Sequence, residues 1–329
     1  MPELPELEVV CEVLQRRVVG QTITGVEVFP PGGPIVVRDL THAGFTETLT
    51  GATFTQVLRR GKFLIFSLSV QDPQRPERTL SEAQAEPKRK SKGASPSAAL
   101  RAGFDDAPGG APVRTLSLVL NPKLTGRLQL AAPSDKRLPK THVVFTLSDG
   151  GQLRYVDQKR MGQLYLTRDL AEVPDHAGMG PEALEISLDD FRARLSKMPG
   201  APRRVRPYRG EIKGVLTRGD FIAGIGNAYA DEILWAARLH PYRRRTQLTP
   251  EEIDRLHAAM RATLLDATEK VRAEMGGDIH RKPRDFMAVH MKTGEPCPRC
   301  GTPISLVGAN QRITNFCRTC QPGGLIKGM

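Results

Sequence analysis

Four cysteines near the carboxyl end constrain the fold of this 329-residue chain more than any other feature. They form two Cys-x2-Cys pairs separated by 16 residues, at Cys297, Cys300, Cys317 and Cys320. Each pair presents two thiolates on one tight turn, and a β-hairpin across the intervening residues brings both turns around a tetrahedral Zn2+. Because the protein then fills all four ligand positions, the spacing predicts a zinc ribbon with one structural zinc ion. Two redox-active cysteine pairs are the alternative interpretation.

The amino terminus carries a second unusual pattern, Met1-Pro2-Glu3-Leu4-Pro5-Glu6. Removal of the initiator methionine would leave Pro2 as a free secondary amine, and an α-amine with an ordinary pKa of roughly 7.7–8.0 is partly neutral at neutral pH. The carboxylates of Glu3 and Glu6 lie within one turn of this amine and can transfer protons. The same residues also suit an ordinary helix start, because proline and acidic residues favour the first turn.

The charge of the chain indicates an anionic partner. The formal net charge is +12 and the pI is about 9.7, which favours nucleic acid over a membrane surface because no basic amphipathic helix stands out. No apolar run approaches the roughly 18 residues of a spanning helix, and no signal peptide is evident. We therefore expect a cytosolic protein without membrane contact. In a reducing compartment the paired cysteines favour metal over disulfides, and the lone Cys11 is expected in the core.

Residues 71–113 differ in composition from the rest of the chain. Proline, alanine, serine and charged residues dominate, and Phe104 is the one aromatic residue. Such a composition buries too little apolar surface to fold, so we interpret the segment as a disordered insertion. Its seven basic and six acidic residues nearly cancel, which leaves almost all of the net charge on the remaining parts.

Elsewhere the apolar pattern changes from strands to helices along the chain. Short apolar runs between residues 22 and 166 predict strands, and helical spacing resumes at Leu188. Thr249-Pro250-Glu251-Glu252 has the cap and first-turn acids of a helix that should reach about Met275. The sequence thus predicts an α+β fold. Its expected parts are a β-rich domain over residues 1–173, a linker over 174–186, a helical domain over 187–290 and the zinc ribbon with its tail over 291–329.

Six short segments, in this order, resemble those of the bacterial formamidopyrimidine-DNA glycosylases and the related endonuclease VIII enzymes. They are Pro2-Glu3-Leu4-Pro5-Glu6, Arg59-Arg60-Gly61-Lys62-Phe63-Leu64, Gly180-Pro181-Glu182, Ile212-Lys213, Gly224-Ile225-Gly226-Asn227-Ala228-Tyr229-Ala230-Asp231-Glu232, and the ribbon with Gln311-Arg312. The resemblance covers the chain except residues 71–113, and Leu4 favours the formamidopyrimidine branch. It implies an N-terminal antiparallel β-sandwich flanked by a helix, a helical domain with a helix–two-turn–helix element, and a zinc ribbon.

The resemblance also implies a covalent mechanism on double-stranded DNA, in which the damaged nucleotide is flipped out of the duplex. The Pro2 amine is expected to attack the sugar C1′ and form a Schiff base, while Glu3 protonates the ring oxygen and Glu6 assists with protons. β- and δ-elimination then release both phosphates without a redox cofactor. Lys62 matches the lysine that contacts the lesion phosphate and assists elimination, and Arg312 matches an arginine that grips the flanking phosphate.

Further residues are expected to contact DNA by the same resemblance. Asn227 pairs with Arg312 at the flanking phosphate. Flipping a base leaves a gap in the duplex, which Leu124 and Met161 should fill as wedges while Arg160 bonds the orphaned base, with a preference for cytosine. Lys140, Arg209 and Lys213 complete the set as DNA contacts.

The chain departs from the family at the loops that touch the lesion. The intercalation loop reads Asn121-Pro122-Lys123-Leu124, an Arg-Phe pair has become Arg160-Met161, and the basic stretch His280-Arg281-Lys282-Pro283-Arg284 lies in a shortened segment before the ribbon. We expect a monomeric bifunctional DNA glycosylase and abasic-site lyase for oxidised purines. The alternatives are an endonuclease VIII-like enzyme for oxidised pyrimidines, a non-catalytic binder of damaged DNA and a zinc-ribbon RNA-binding protein.

Overall fold

A computed structural model describes residues 1–71, 113–196, 210–308 and 313–323. Apart from its ends, the segment predicted to be a disordered insertion falls outside these ranges. Arg209 and Arg312 also lie outside them.

Strands dominate the first part of the chain and helices the second, as the sequence pattern predicts, although two short helices interrupt the strands before residue 50. The helices are α1 (Leu4–Arg17), α2 (Gly33–Val36), α3 (Phe45–Leu49), α4 (Leu188–Ser196), α5 (Ile212–Leu216), α6 (Asn227–Ala236) and α7 (Pro250–Met275). The strands are β1 (Ile23–Val28), β2 (Val37–Asp39), β3 (Thr53–Arg60), β4 (Phe63–Gln71), β5 (Val113–Asn121), β6 (Gly126–Ala131), β7 (Thr141–Leu147), β8 (Gln152–Asp157), β9 (Gln163–Thr167), β10 (Ser305–Val307) and β11 (Thr314–Phe316).

Two sheets pack face to face in the N-terminal part. One has the strand order β1-β7-β8-β6 and the other β2-β9-β5-β4-β3. Alternate residues such as Leu116, Leu118 and Leu120 on β5 point into one shared core with Phe145 of the opposite sheet, as the period of two along a strand requires. This confirms the predicted β-sandwich. All neighbouring strands of the two sheets are antiparallel except the short edge pair β2 and β9, which is parallel.

The long helix α7 joins the two domains. Thr249 caps its first turn through a hydrogen bond from the Glu252 amide, and the helix ends at Met275 as predicted. Its first half contributes Leu256 to the core of the helical domain, whereas its last turn contributes Met275 to the core of the β-sandwich. In the opposite direction, Leu4 of α1 belongs to the helical-domain core. Each domain therefore completes the core of the other.

An ion-pair cluster fixes the β3–β4 turn against the segment that enters the helical domain. The buried carboxylate of Glu182 lies 2.6 Å from Arg59 Nη1 and 2.6 Å from Arg60 Nη1. It also accepts a hydrogen bond from the Gly61 amide at 2.6 Å. Glu8 of α1 pairs with Arg59 from the other side. Because Lys62 is the next residue of this turn, the cluster sets its position.

Among the described residues, none of the helices combines the length and the low polarity needed to cross a membrane.

Replacing Glu182 by alanine should destabilise the fold, because two arginines would lose a buried partner. We expect the free energy of unfolding to fall by about 3 kcal/mol, as for other buried pairs that lose one member. Urea titration followed by circular dichroism measures this change. The exposed Glu185 provides the control, and Glu185→Ala should change stability by less than about 0.5 kcal/mol.

The pH dependence of the stability difference between wild type and Glu182→Ala tests whether the charge of the Glu182 carboxylate causes this difference. Burial raises the pKa of Glu182, but Arg59, Arg60 and the Gly61 amide outweigh it, so the pKa lies below the ordinary value of 4.5. A lowered carboxyl pKa stabilises the folded state above the unfolded-state pKa, and the effect is lost as the pH falls through the folded-state value. The stability gap between wild type and Glu182→Ala should therefore narrow in acid. A constant gap would contradict the assignment.

Candidate active site and nucleic-acid interface

Pro2 lies at the junction of the two domains, directly before α1, and is buried. A cavity of about 440 Å³ on one side is lined by Met1, Pro2 and Lys62, among others. A second cavity of about 450 Å³ is lined by Met1, Glu3 and Arg284, among others. Volumes of this size are typical of small-molecule sites. The Met1–Pro2 peptide therefore stands between two spaces that can each receive part of a ligand.

The carboxylate of Glu3 is fixed at the N-terminus of α6. Its Oε2 accepts hydrogen bonds from the amides of Gly226 at 2.7 Å and Tyr229 at 3.3 Å, and its Oε1 accepts one from the Ala228 amide at 3.1 Å. A helix leaves these N–H groups unpaired in its first turn, and its dipole favours a negative charge there. The contact places a residue of the first domain on the helix–two-turn–helix element of the second.

The surroundings of Glu3 favour its charged form. Burial raises the pKa of this carboxyl group, but the charges of Lys62 and Arg284 and the amides of Ala228 and Tyr229 outweigh burial, so the pKa is lowered. Glu3 therefore rests as a carboxylate. It must take up a proton before it can donate one.

Glu6 is bound to protein groups on several sides. Its Oε2 accepts the Glu3 amide at 2.9 Å. Its Oε1 accepts Arg284 Nε at 2.8 Å and the Tyr229 hydroxyl at 3.4 Å. Glu6 thus links the start of α1, helix α6 and the segment after α7, and these contacts indicate that it positions Glu3 and Arg284.

The segment after α7 brings two cations to the amino terminus. Arg284 Nη2 donates a hydrogen bond to the Met1 carbonyl oxygen at 2.9 Å and lies 3.7 Å from Glu3 Oε1. Burial, followed by the charges of Lys282 and Arg284, lowers the pKa of the Met1 α-amine to about 4. These surroundings strongly disfavour a positive charge, so an amine at this position is neutral at neutral pH.

Lys62 follows the β3–β4 turn, where Gly61 has a φ of 57°. Its side chain lines the same cavity as Pro2 and Lys123. Burial lowers the pKa of the Lys62 ammonium group, while the charge of Glu3 raises it and that of Lys123 lowers it, and the net effect is a lowered pKa. The structure therefore brings Pro2, Glu3 and Lys62 to one place, as the resemblance implies.

Lys213 differs from its expected role as an exposed DNA contact. It is buried, and its Nζ lies 2.6 Å from Asp231 Oδ1. The same ammonium donates hydrogen bonds to the Ile313 carbonyl at 3.0 Å and to Thr314 Oγ1 at 2.9 Å. Helix α5 directs this side chain towards α6 and the ribbon, so its charge holds the hairpin in place instead of facing a phosphate.

Asn227 also contacts the ribbon hairpin. As the first residue of α6 it donates a hydrogen bond from Nδ2 to the Ile313 carbonyl at 2.8 Å. Ile313 directly follows Arg312 in the sequence. The start of α6 and the chain beside Arg312 are thus joined, although Arg312 itself lies outside the described residues.

Asp157 organises the turn between β8 and β9. Its Oδ1 accepts hydrogen bonds from the Lys159 amide at 3.1 Å and from the Thr125 hydroxyl. Its Oδ2 accepts hydrogen bonds from the Gly162 amide at 2.8 Å and from the Tyr155 hydroxyl at 3.2 Å. One buried carboxylate therefore fixes this turn and the start of the neighbouring strand β6 together.

Four residues expected to contact DNA lie around this fixed turn. Arg160 is exposed with a φ of 54°, and Met161 is 48% exposed. Leu124 lies beside them on the turn before β6, with its side chain partly exposed. Lys140 is exposed, and its carbonyl accepts the Asp157 amide at 3.0 Å. The predicted wedges and the predicted base contact therefore share one rigid support.

The four cysteines fit one zinc ion. Their sulfur atoms all lie within 4.8 Å of one another, with Cys300 and Cys317 at 3.4 Å and Cys297 and Cys320 at 3.9 Å. Tetrahedral Zn–S bonds of about 2.3 Å require sulfur–sulfur distances of about 3.8 Å. Trp235 Nε1 donates a hydrogen bond to Cys297 Sγ at 3.4 Å, which connects the ribbon to α6. The predicted structural zinc site is confirmed.

The segment after α7 contributes further residues to the site that the sequence does not predict. His290 Nδ1 lies 2.9 Å from Asp231 Oδ2. Met291 has a φ of 63°, is 67% exposed and lines the same cavity as Leu124 and Asn227. A methionine rarely adopts such a backbone conformation, and no sequence signal marks it. The sequence shows that the stretch around Arg284 is basic. It does not show that Arg284 contacts residues 1, 3 and 6.

Comparison with known families identifies three parts of the chain. Residues 1–164 match the formamidopyrimidine-DNA glycosylase N-terminal domain. Residues 179–276 match the formamidopyrimidine-DNA glycosylase H2TH domain. Residues 294–323 match the zinc finger found in FPG and IleRS.

Individual proteins are similar over the whole length. The formamidopyrimidine-DNA glycosylase of Symbiobacterium thermophilum is 34% identical over 336 residues, which covers 98% of this chain and 90% of that protein. The Fpg (MutM) of Lactococcus lactis, in complex with DNA containing N7-benzyl-Fapy-dG, superposes with a TM-score of 0.71 and 28% identity, covering 98% of this chain and 100% of that one. A MutM complex with DNA containing carbocyclic 8-oxo-G gives a TM-score of 0.70, 28% identity and the same coverage.

Gly226→Ala should displace Glu3 from the start of α6. A Cβ at this position would lie 2.4 Å from the Glu3 carboxyl carbon, so the carboxylate and its three backbone partners must separate. We expect the free energy of unfolding to fall by about 2 kcal/mol, as for other overpacked sites, measured by urea titration. Gly214→Ala is the control because a Cβ there meets nothing within 4 Å. Equal stability of the two variants would contradict the packing described.

Cys317→Ser should release the zinc ion, because three cysteines cannot complete the tetrahedral thiolate site. Zinc bound per chain, measured with a chromogenic chelator after denaturation, should fall from one to less than about 0.2. Cys11→Ser is the matched control: Cys11 donates to the Val57 carbonyl far from the ribbon, and zinc content should stay at one. Retention of zinc by Cys317→Ser would refute the ligand assignment.

Proposed function

The chain belongs to the formamidopyrimidine-DNA glycosylase family, and we propose that it excises oxidised purines from duplex DNA and then cleaves the strand through a Schiff base on Pro2. The enzyme is a bifunctional base-excision-repair DNA glycosylase and abasic-site lyase with one structural zinc. It acts on double-stranded DNA and is expected to work as a monomer.

The observation that carries this proposal is the environment of the amino terminus. Burial and the charges of Lys282 and Arg284 hold the pKa of the terminal amine at about 4, and Pro2 is the next residue. Pro2 is itself buried and lines the cavity of about 440 Å³ together with Lys62, so its amine would face this cavity once Met1 is removed. A neutral secondary amine beside the Glu3 carboxylate is a competent nucleophile for C1′ at neutral pH.

In the first step the Pro2 lone pair forms the N–C1′ bond while the bond from C1′ to the damaged base breaks. Glu3 is a carboxylate at rest, so it first accepts the proton that Pro2 releases on bond formation. It then donates this proton to the ring oxygen as the C1′–O4′ bond opens. The single proton thus passes from Pro2 through Glu3 to the sugar, and a cationic iminium, the Schiff base of a secondary amine, remains on Pro2.

In the second step the iminium withdraws electrons from the sugar. Loss of a proton from C2′ breaks the C3′–O3′ bond, and a further proton loss breaks the C5′–O5′ bond, so both phosphates leave. Lys62 lines the cavity beside Pro2, where its ammonium group contacts the lesion phosphate and assists elimination. Its lowered pKa makes the ammonium group a more ready proton donor than an ordinary lysine.

DNA is held by residues from both domains and the ribbon. Asn227 and Arg312 grip the phosphate flanking the lesion. Leu124 and Met161 fill the gap in the duplex and Arg160 bonds the unpaired base, supported by the turn that Asp157 fixes. Lys140 and Arg209 add backbone contacts.

Oxidised purines are favoured over oxidised pyrimidines. Leu4 in the first motif supports this preference, whereas the solved relatives are bound to purine lesions and to an oxidised pyrimidine alike. We place the catalytic domain at residues 1–173, the linker at 174–186, the helical domain at 187–290 and the ribbon at 291–329. Action on the bacterial chromosome would place the enzyme in the cytoplasm, with the nucleoid.

Pro2→Gly should keep an amine at the terminus but slow excision at least about tenfold, because glycine is a primary amine and less well oriented. Borohydride trapping on duplexes that carry 8-oxoguanine, formamidopyrimidine, oxidised thymine or an abasic site measures the covalent intermediate. An N-terminal extension that blocks the amine should abolish the trapped band.

The lesion panel separates the competing functions. If the trapped band is strongest on duplexes with purine lesions, the result supports the proposal. If it is strongest on oxidised thymine, the result favours the endonuclease VIII branch. Tight binding without any trapped band would favour a non-catalytic damage-binding protein. Unchanged turnover of the Pro2→Gly variant would refute the assignment of Pro2 as the nucleophile.

A further inference from the structure

Arg284 contacts the chemical group that is bonded to the Pro2 nitrogen. In this structure that group is the Met1 carbonyl, whose oxygen accepts a hydrogen bond from Arg284 Nη2 at 2.9 Å. When the sugar C1′ approaches the Pro2 nitrogen for attack, it enters the place of the Met1 carbonyl carbon while the base is still bonded to it, because it forms the bond that Met1 vacates. The carbonyl oxygen therefore marks the place of an atom bonded to C1′.

Two heteroatoms are bonded to C1′ in an intact nucleotide, the ring oxygen and the glycosidic nitrogen of the base. Glu3 serves the ring oxygen in the proposed function. Arg284 belongs to the segment that lines the cavity of about 450 Å³ together with Lys282 and Asp285. This cavity has room for a flipped base, and a base placed there would present its glycosidic nitrogen to Arg284.

We propose that Arg284 is a catalytic residue that donates a hydrogen bond to the departing base at the nitrogen that leaves C1′. This inference rests on the proposed function. As the Pro2 lone pair forms the N–C1′ bond, the glycosidic bond breaks and its electron pair remains on the base nitrogen. The guanidinium stabilises that negative charge, and the base then takes its proton from water. Arg284 loses no proton itself.

The guanidinium is held in place before any substrate binds. Its Nε donates to Glu6 Oε1 at 2.8 Å, its central carbon lies 5.6 Å from the Tyr229 ring centre, and its side chain is only 17% exposed. Although burial lowers the pKa of Arg284, the charges of Glu6 and Glu3 raise it, so the group stays charged. A fixed donor aimed at developing charge in a shielded site is an effective form of transition-state stabilisation.

A purely positioning role makes a different prediction. If Arg284 acted only by orienting Glu3 and Glu6, its loss would slow every reaction that needs these carboxylates. A base departs only during excision, whereas cleavage at a preformed abasic site uses Pro2, Glu3 and Lys62 without a leaving base. The two reactions therefore separate the two roles.

The test compares Arg284→Gln with the control Arg281→Gln, which alters an exposed arginine of the same segment. Mass spectrometry first verifies that Met1 is absent, and zinc content and thermal unfolding verify the fold. Single-turnover rates are measured on one duplex carrying 8-oxoguanine and on the same duplex carrying an abasic site. For Arg284→Gln we expect excision to fall about 10²–10³-fold, as when an oxyanion donor is removed, and abasic-site cleavage to change by less than about threefold.

Two results of this comparison would overturn the proposal. Equal losses on both duplexes would show that Arg284 positions Glu3 and Glu6, and unchanged excision would show that it does not serve the leaving base. Arg284→Lys keeps the charge with a single donor group and should recover part of the excision rate. Absence of any Pro2-dependent trapping in the wild-type enzyme would refute the proposed function itself, which is distinguishable from failure of Arg284 alone.

Discussion

The carboxylate of Glu3 at the start of α6 is the contact on which the active site depends. It is buried, so only the three backbone amides of residues 226, 228 and 229 and the nearby cations can stabilise its charge. Because the Glu3 carboxylate must reach these amides, Pro2 lies at the domain junction. Gly226 permits the close approach of the carboxylate, since a Cβ at this position would collide with it. Pro2, the proposed nucleophile, is therefore positioned by the need to stabilise the charge of the neighbouring Glu3.

The same junction explains why the two domains act as one catalyst. Leu4 enters the helical core and Met275 enters the sandwich core, while Glu182 binds the turn that precedes Lys62. Lys213 and Asn227 then tie α5 and α6 to the ribbon hairpin. Groups proposed to act on one nucleotide are thereby connected through buried contacts, and a movement of either domain would separate Glu3 from the start of α6.

The sequence predicts features that follow from spacing or motif and misses those that depend on burial. The cysteine spacing gives the zinc site, period-two alternation gives the β-sandwich, and Thr249-Pro250 gives the start of α7. Nothing in the sequence shows which face of α5 turns inward, so Lys213 was expected at the surface although its charge is paired in the interior. Arg284 meets the amino terminus only through tertiary folding.

The hydrogen bond between Arg284 and the Met1 carbonyl also limits when the enzyme can mature. Its partners are separated by 283 positions in the chain, and ribosomes add roughly 5–20 residues per second, so roughly 15–60 s pass between synthesis of the first residue and of the arginine that covers it. The methionine is accessible to an aminopeptidase during this interval. Once the chain has folded, the Met1 carbonyl is engaged and the residue is partly buried. Under the proposed mechanism, a molecule that folds with its methionine still attached would lack the free Pro2 amine and be unable to cut DNA.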